Sequence, residues 1–291
     1  MAVSLAGVKL RVMWHPTFTL AVLAATVITC AVVVLAGAAG GSALLAQVAL
    51  VALPALVGTS TAALVAIELG WDRLPGALAA LTFVLGIALL AGAAAAAVGT
   101  WWALRLAPAQ GMWPAFDEAG MVPAAYCLFA AAAGAAFGAL TVRILPAALL
   151  TLAAFTGPRL VVALALRPRF LPPVLGLADP GVGAGLPPGA WPQATPSTIV
   201  DGAGHQATGA ILVVCDARAA APCPLTAADI HGAGLFQGAW YQPADRFWTF
   251  QGIEAAVFVP LAIALALIAA WLLGRRRHPA SLVSQPGGGN V

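Results

Sequence analysis

Charged residues make up 8% of this chain, and lysine occurs once, at Lys9. Set against 62% hydrophobic residues over 291 positions, that scarcity excludes a water-soluble fold, which would have too little polar surface to cover itself. Nucleic acid is excluded as a partner, because the net charge is only +3 and the basic residues are scattered rather than gathered into a stripe. A phosphate-cradling loop needs a lysine after glycine, and Lys9 follows Val8, so no nucleotide-hydrolysing loop of that type is present. The four histidines, His15, His205, His231 and His278, all fall outside the long apolar runs, which removes serine–histidine hydrolysis within a membrane. Ser60, in Gly58-Thr-Ser-Thr61, then reads as a small polar residue at a helix contact. With no H-E-x-x-H, Cys/His cluster or paired carboxylates inside the runs, neither an enzyme nor a cofactor or metal is expected in this chain.

What the chain has instead is apolar length. Crossing about 30 Å of hydrocarbon takes roughly 20 apolar residues. Runs of that kind lie at Pro16–Gly37, Ala43–Ile67, Gly76–Val98, Met121–Val142, Leu145–Leu166 and Ile253–Leu273. The expectation is an all-α membrane protein of six transmembrane helices, with a large extracytoplasmic insert between the fifth and sixth. Residues 1–15 mix Lys9, Arg11 and Trp14 with apolar residues and suit a cytoplasmic interfacial helix. Five spans follow within 16–166, then the insert at 167–250, the sixth helix at 251–274 and a cytoplasmic tail at 275–291. Arg275, Arg276 and Arg277 mark the cytoplasmic side, with Lys9, Arg11, Arg73 and Arg143, so both termini lie in the cytoplasm, and the single lysine among abundant alanines points to a bacterial membrane. Arg105, Asp117, Glu118 and the insert then lie outside.

Prolines repeat from Arg167 to Pro196, so irregular, extended packing is expected there. The β-branched run at Ala210–Cys215 fits a strand. Cys215 and Cys223, in an oxidising compartment, read as a disulfide or as two free thiols. Cys30 and Cys127 sit within spans as small packing residues.

Arg159 stands near the middle of the fifth run behind Gly157-Pro158 and must face protein or water. It reads as part of a substrate pathway, or as pairing with carbonyls loosened by Pro158, or as snorkelling. Glu254 opens the sixth run, as a helix-start carboxylate or as the partner of Arg246. The segment Ala239–Glu254 interleaves aromatic rings with Gln242, Asp245, Arg246 and Gln251. It reads as an aromatic belt, or as a short helix after Pro243 lining a mouth with Arg246, Trp248, Gln251 and Glu254. Gly134-Ala-Ala-Phe-Gly138 permits close helix approach, and Tyr126 reads as packing or interfacial.

Several stretches carry a family likeness: Gly120-Met-Val-Pro-Ala-Ala-Tyr-Cys-Leu-Phe129, Arg143-Ile-Leu-Pro-Ala147, Pro158-Arg-Leu160, Leu166-Arg-Pro-Arg-Phe-Leu-Pro172 and Tyr241-Gln-Pro-Ala-Asp-Arg-Phe-Trp-Thr-Phe-Gln-Gly-Ile-Glu254. In this order the chain resembles the permease subunits of bacterial ABC-2 type transporters, especially an actinobacterial group. The resemblance implies an exporter that works as a dimer or with a second, related permease subunit. It also implies a separate ATP-binding subunit, which hydrolyses the ATP. Such permeases carry a longer cytoplasmic loop between the second and third spans, whose short helix docks on the ATPase. Here only Glu68-Leu-Gly-Trp-Asp-Arg-Leu-Pro75 stands in that place. Glu68, Trp71, Asp72 and Arg73 are either a minimal coupling interface or the remnant of a lost one. The alternative function is a membrane sensor or assembly protein whose extracytoplasmic domain binds a ligand.

Overall fold

The computed structural model describes residues 24, 28, 31, 43–70, 77–178, 186–193, 198–205, 232 and 234–275. The expected interfacial helix at 1–15, the coupling residues Trp71, Asp72 and Arg73, the strand at Ala210–Cys215, the Cys215–Cys223 bridge and the tail from Arg276 lie outside the described residues. Within the first expected span, Ala24, Ile28 and Ala31 are helical and exposed.

The chain is mostly helical. Helix α1 spans Ala43–Gly70, α2 Ala77–Gln110, α3 Val122–Thr141, α4 Ile144–Val161 and α5 Phe247–Arg275. Four stretches are long and apolar enough to cross a membrane: Ala79–Arg105, Val122–Thr141, Ile144–Arg169 and Ala244–Arg275. Two helices overrun their expected limits by more than a turn. α2 continues past Val98 to Gln110 because Trp101-Trp102-Ala-Leu keeps the apolar run going beyond Gly99. α5 starts at Phe247 rather than near Ile253, because the short helix expected after Pro243 is a single 3-10 turn, Ala244–Arg246, that runs straight into it. The strands described below depart from the all-α expectation.

Two compact units divide the chain. The first holds α1, α3, α2 up to Trp102, α4 and α5 from Gln251. Its centre is α3, which is apolar on every face and buried on every face. The reason is its Ala and Gly content: Ala130 to Ala133 are fully buried, and side chains this small let neighbouring helices come close from all sides. The closest approach is to α1, where a Cβ on Gly134 would overlap the Gly58 carbonyl oxygen and one on Gly138 would come within 2.7 Å of Ala62 O. The G-x-x-x-G of the sequence is therefore the α1–α3 seam. Gly92 of α2 backs onto Pro123, Ala124 and Cys127, and Ala269 and Leu273 of α5 join Ala135 and Ala139. These pairings fix the directions: α1, α3 and α5 run one way, α2 and α4 the other.

A two-residue connection, Val142-Arg143, joins α3 to α4 at the same end of the unit as Arg275. Val142 takes a left-handed conformation, φ 55°, to close this turn, with its N–H donating to Gly138 O. Leucines of α4 and α5, among them Leu145, Leu149, Leu160, Leu261 and Leu267, are exposed, as befits faces meeting lipid rather than water.

The second unit comprises Ala103–Phe116 and Leu164–Phe250. Its described part includes an antiparallel sheet of β1 (Val174–Ala178), β2 (Trp191–Pro192), β3 (Thr198–Val200) and β4 (Phe236–Gln242). β4 is central: β1 pairs along one edge, Val174 opposite Tyr241, while β2 and β3 share the other, opposite Tyr241-Gln242 and Phe236–Gly238. Among the described residues of 167–196 the chain is a 3-10 turn and two short strands, the extended packing that repeated prolines allow.

Candidate functional site

Asp117, Tyr126, Arg159 and Glu254 meet at the end of the helical unit where α3 and α5 begin and α4 finishes. Tyr126 lies in the second turn of α3 and is 1% exposed. Its hydroxyl donates to the Glu254 carboxylate of α5 and stands 3.5 Å from Asp117 Oδ1. Asp117 belongs to the segment leading into α3, and its Oδ2 accepts from the Arg159 guanidinium of α4 at 3.1 Å. That guanidinium also sits 5.1 Å from the centre of the Tyr126 ring. Gln251, one turn before Glu254, accepts the Val122 N–H at 3.0 Å through Oε1, satisfying a first-turn donor of α3. Gln251 and Glu254 are fully buried, whereas the Arg159 and Asp117 side chains keep 16% and 25% exposure.

Beneath these polar groups the rings close up. Tyr126 makes edge contacts with Phe155 at 5.9 Å and Phe258 at 4.9 Å, and Phe129 lies 5.2 Å from Phe258 and 6.4 Å from Phe155. Charges in such surroundings persist only when paired and hydrogen-bonded, because burial strips their water. The Arg159–Asp117 pair meets that condition.

Two expectations are corrected here. Arg159 pairs with the Asp117 carboxylate at 3.1 Å, where the sequence offers carbonyls near Pro158 as its partners. Glu254 is not a helix-start carboxylate: α5 begins at Phe247, which puts Glu254 beyond the first turn, where the macrodipole has faded.

Of the five residues expected to line a pathway, Arg159, Gln251 and Glu254 come together in the helical unit. Arg246 and Trp248 belong to the other. There Arg246 donates to Pro172 O at 2.7 Å and to Gln242 Oε1 at 2.9 Å, and the buried Gln242 donates to Leu171 O at 2.8 Å. These bonds tie the chain leaving α4 to the chain entering α5. Trp248 is half-exposed, with its ring edge-on to Phe247 at 5.2 Å. Glu68 is the last acidic residue of α1.

The second unit has its own aromatic core. Trp113 stacks on Trp191 at 5.0 Å and on Phe116 at 5.9 Å, with Phe247 and Phe250 edge-on at 5.6 and 5.2 Å. Two left-handed glycines set the stack: Gly111, φ 73°, and Gly189, φ 74°, meet backbone to backbone, so a Cβ on Gly111 would collide with Gly189. The Arg167 guanidinium covers the Phe116 ring at 4.1 Å. A π-turn, Val162–Leu166, delivers Arg167 there by adding a residue to the helical register, so that it is buried while Leu164 and Leu166 stay exposed.

No family model, curated protein or solved structure matches this chain.

Sequence reasoning missed Asp117 and Tyr126 as site residues. The available signal was the tyrosine hydroxyl: buried in an apolar helix, it needs a partner, and the nearest carboxylates by position are those at the ends of neighbouring spans. Among the described residues no three metal-binding side chains gather. What the cluster offers is a paired guanidinium and carboxylate, a phenol and a second carboxylate, converging from three helices and one connecting segment.

Proposed function

We propose that this chain is the membrane-spanning permease subunit of an ABC-2 type exporter in a bacterial cytoplasmic membrane. It works with a second permease copy or a related chain, and a separate ATP-binding subunit supplies the energy. The observation that carries the reading is the Asp117–Arg159–Tyr126–Glu254 cluster, its tyrosine and Glu254 buried and its ion pair partly exposed, held by helices of membrane-spanning length and the segment leading into α3. Ionisable groups at such positions are costly and mark pathways. The family likeness of the stretches around these residues gives the pathway its class. Six spans, with the first at Pro16–Gly37, place both termini in the cytoplasm and the sheet-bearing insert outside. Arg143 and Arg275, at the end opposite the cluster, agree with that orientation. An amphipathic substrate fits an apolar route with charges near its exit.

The test is to purify the chain with its natural partners. The reading expects an ATP-binding subunit to co-purify, and its ATP hydrolysis to lose its coupling when Trp71, Asp72 and Arg73 are replaced by alanine. Purification without any nucleotide-hydrolysing partner would contradict it. That outcome would favour the second reading, a sensor or assembly protein, which draws its support from the separate sheet unit with its own aromatic core.

A further inference from the structure

The contacts that α3 makes with its neighbours differ in kind between its two ends. Towards Arg143 and Arg275, the helices meet through Ala and Gly: Gly58, Ala62, Gly134 and Gly138 on the α1–α3 seam, and Ala135, Ala136 and Ala269 between α3 and α5. Backbones packed this closely separate only at the loss of their whole contact. At the Asp117 end α2 still packs closely, Gly92 on Ala124 and Gly99 on Glu118, but α4 and α5 are joined to α3 and the segment leading into it by directional polar links: Asp117 to Arg159, Tyr126 to Glu254, and Gln251 to the Val122 N–H. Polar links of this kind can be exchanged for bonds to water, so breaking them costs far less once water enters. Arg159 and Asp117 are already partly exposed, while Phe129, Phe155 and Phe258 keep the region below dry.

The helix carrying Arg159 also has an irregularity on each side of it. Pro158 has no N–H to give to the preceding turn, and the π-turn Val162–Leu166 follows directly after α4. Irregularities of this type are where helices bend.

We infer that the three links form a releasable latch, closed in this structure, and that the Pro158 to Leu166 segment is the hinge on which Arg159 swings away from Asp117. The inference rests on the exporter reading for one point, that the latch is the outer gate of a passage. The latch itself is a property of this chain alone.

Phe155 of α4, buried against the Tyr126 ring at the seam the latch would open, is the place for a reporter of opening. The purified Phe155→Cys chain would be treated with a charged, water-soluble thiol reagent and the peptide bearing position 155 quantified by mass spectrometry. Asp117→Asn and Arg159→Gln should each speed its modification by about 10-fold or more, by raising the open population. The charge-reversed double variant, Asp117→Arg with Arg159→Asp, should restore slow modification. A purely structural role would not produce that rescue. Unchanged rates in the single variants, or a double variant as reactive as either, would overturn the latch.

If the variants do not fold, hydrogen exchange on the unaltered chain decides. Raising the salt concentration should accelerate exchange at residues 122–127 but not at 130–139, because salt screens partly exposed ion pairs and not apolar packing. Equal responses would overturn the latch. Neither measurement needs an ATP-binding subunit, so a chain that purifies without one removes the exporter reading and leaves the latch standing.

Discussion

Tyr126 shows how a single side chain can organise several elements. Its ring packs among Phe155 and Phe258, and its hydroxyl reaches the carboxylate of Glu254. Tyr126→Phe keeps the ring packing and removes the hydroxyl bond to a buried carboxylate, so thermal unfolding in detergent should show a loss of about 1–3 kcal/mol. A loss within error would mean that the hydroxyl bond is not made. Sequence reading reached Arg159 and Glu254 because an ionisable residue in an apolar run stands out. It could not reach their partners, which lie 42 and 128 residues away in the chain.

The exposed loop Asp201–His205 makes a separate residue-scale point. Asp201 accepts the backbone N–H groups of His205 and Ala203, and the His205 amide, first, holds its carboxyl below the ordinary carboxylate range. A depressed value stabilises the loop above the unfolded carboxyl's titration, near pH 4, and the effect fades as pH falls through the folded value. Protection of the Ala203 and His205 amides should therefore be present at neutral pH and lost on acidification. Asp201→Asn should flatten that pH dependence, and an unchanged profile in the variant would assign it elsewhere.

At the scale of elements, helix existence was legible and helix ends were not. Run length finds α1 to α5 because lipid demands it, but α2 and α5 extend past their apolar limits where Trp101-Trp102 and Phe247-Trp248-Thr-Phe250 continue the helix. The α1–α3 seam was written in Gly134 and Gly138, although in a chain this rich in alanine the partner could not be chosen without the structure. Gly134→Ala would push a methyl into the Gly58 carbonyl and should cost about 1–3 kcal/mol in thermal unfolding. An unaffected melting point would mean that the seam is looser than drawn. Val142 offers the opposite case, a β-branched residue held at φ 55°. Val142→Gly removes the steric strain and, less the added chain entropy of glycine, should raise stability by about 0.5–1 kcal/mol. Destabilisation would indicate that its side chain matters more than its backbone.

At the scale of the whole molecule, the separation into a helical part and a Pro-interrupted part was readable from composition, because lipid and water select different residues. The sheet was not. Its strands are two to seven residues long, and β4, Phe236–Gln242, holds Trp240-Tyr241, aromatics that read as a membrane belt when seen only as sequence. Such pairing is non-local: the three partners of β4 all precede it in the chain, separated from it by the long stretch after Val200.

The account depends above all on sidedness: the sheet-bearing segment outside the membrane, and the Arg143 and Arg275 end facing the motor. Single cysteines at Asp201 and at Arg143, in a background where the four native cysteines are replaced, can be labelled in intact cells with a membrane-impermeant thiol reagent. The account predicts labelling at position 201 in intact cells and at position 143 only after the membrane is opened. Labelling of 143 from outside, with 201 protected, would contradict it.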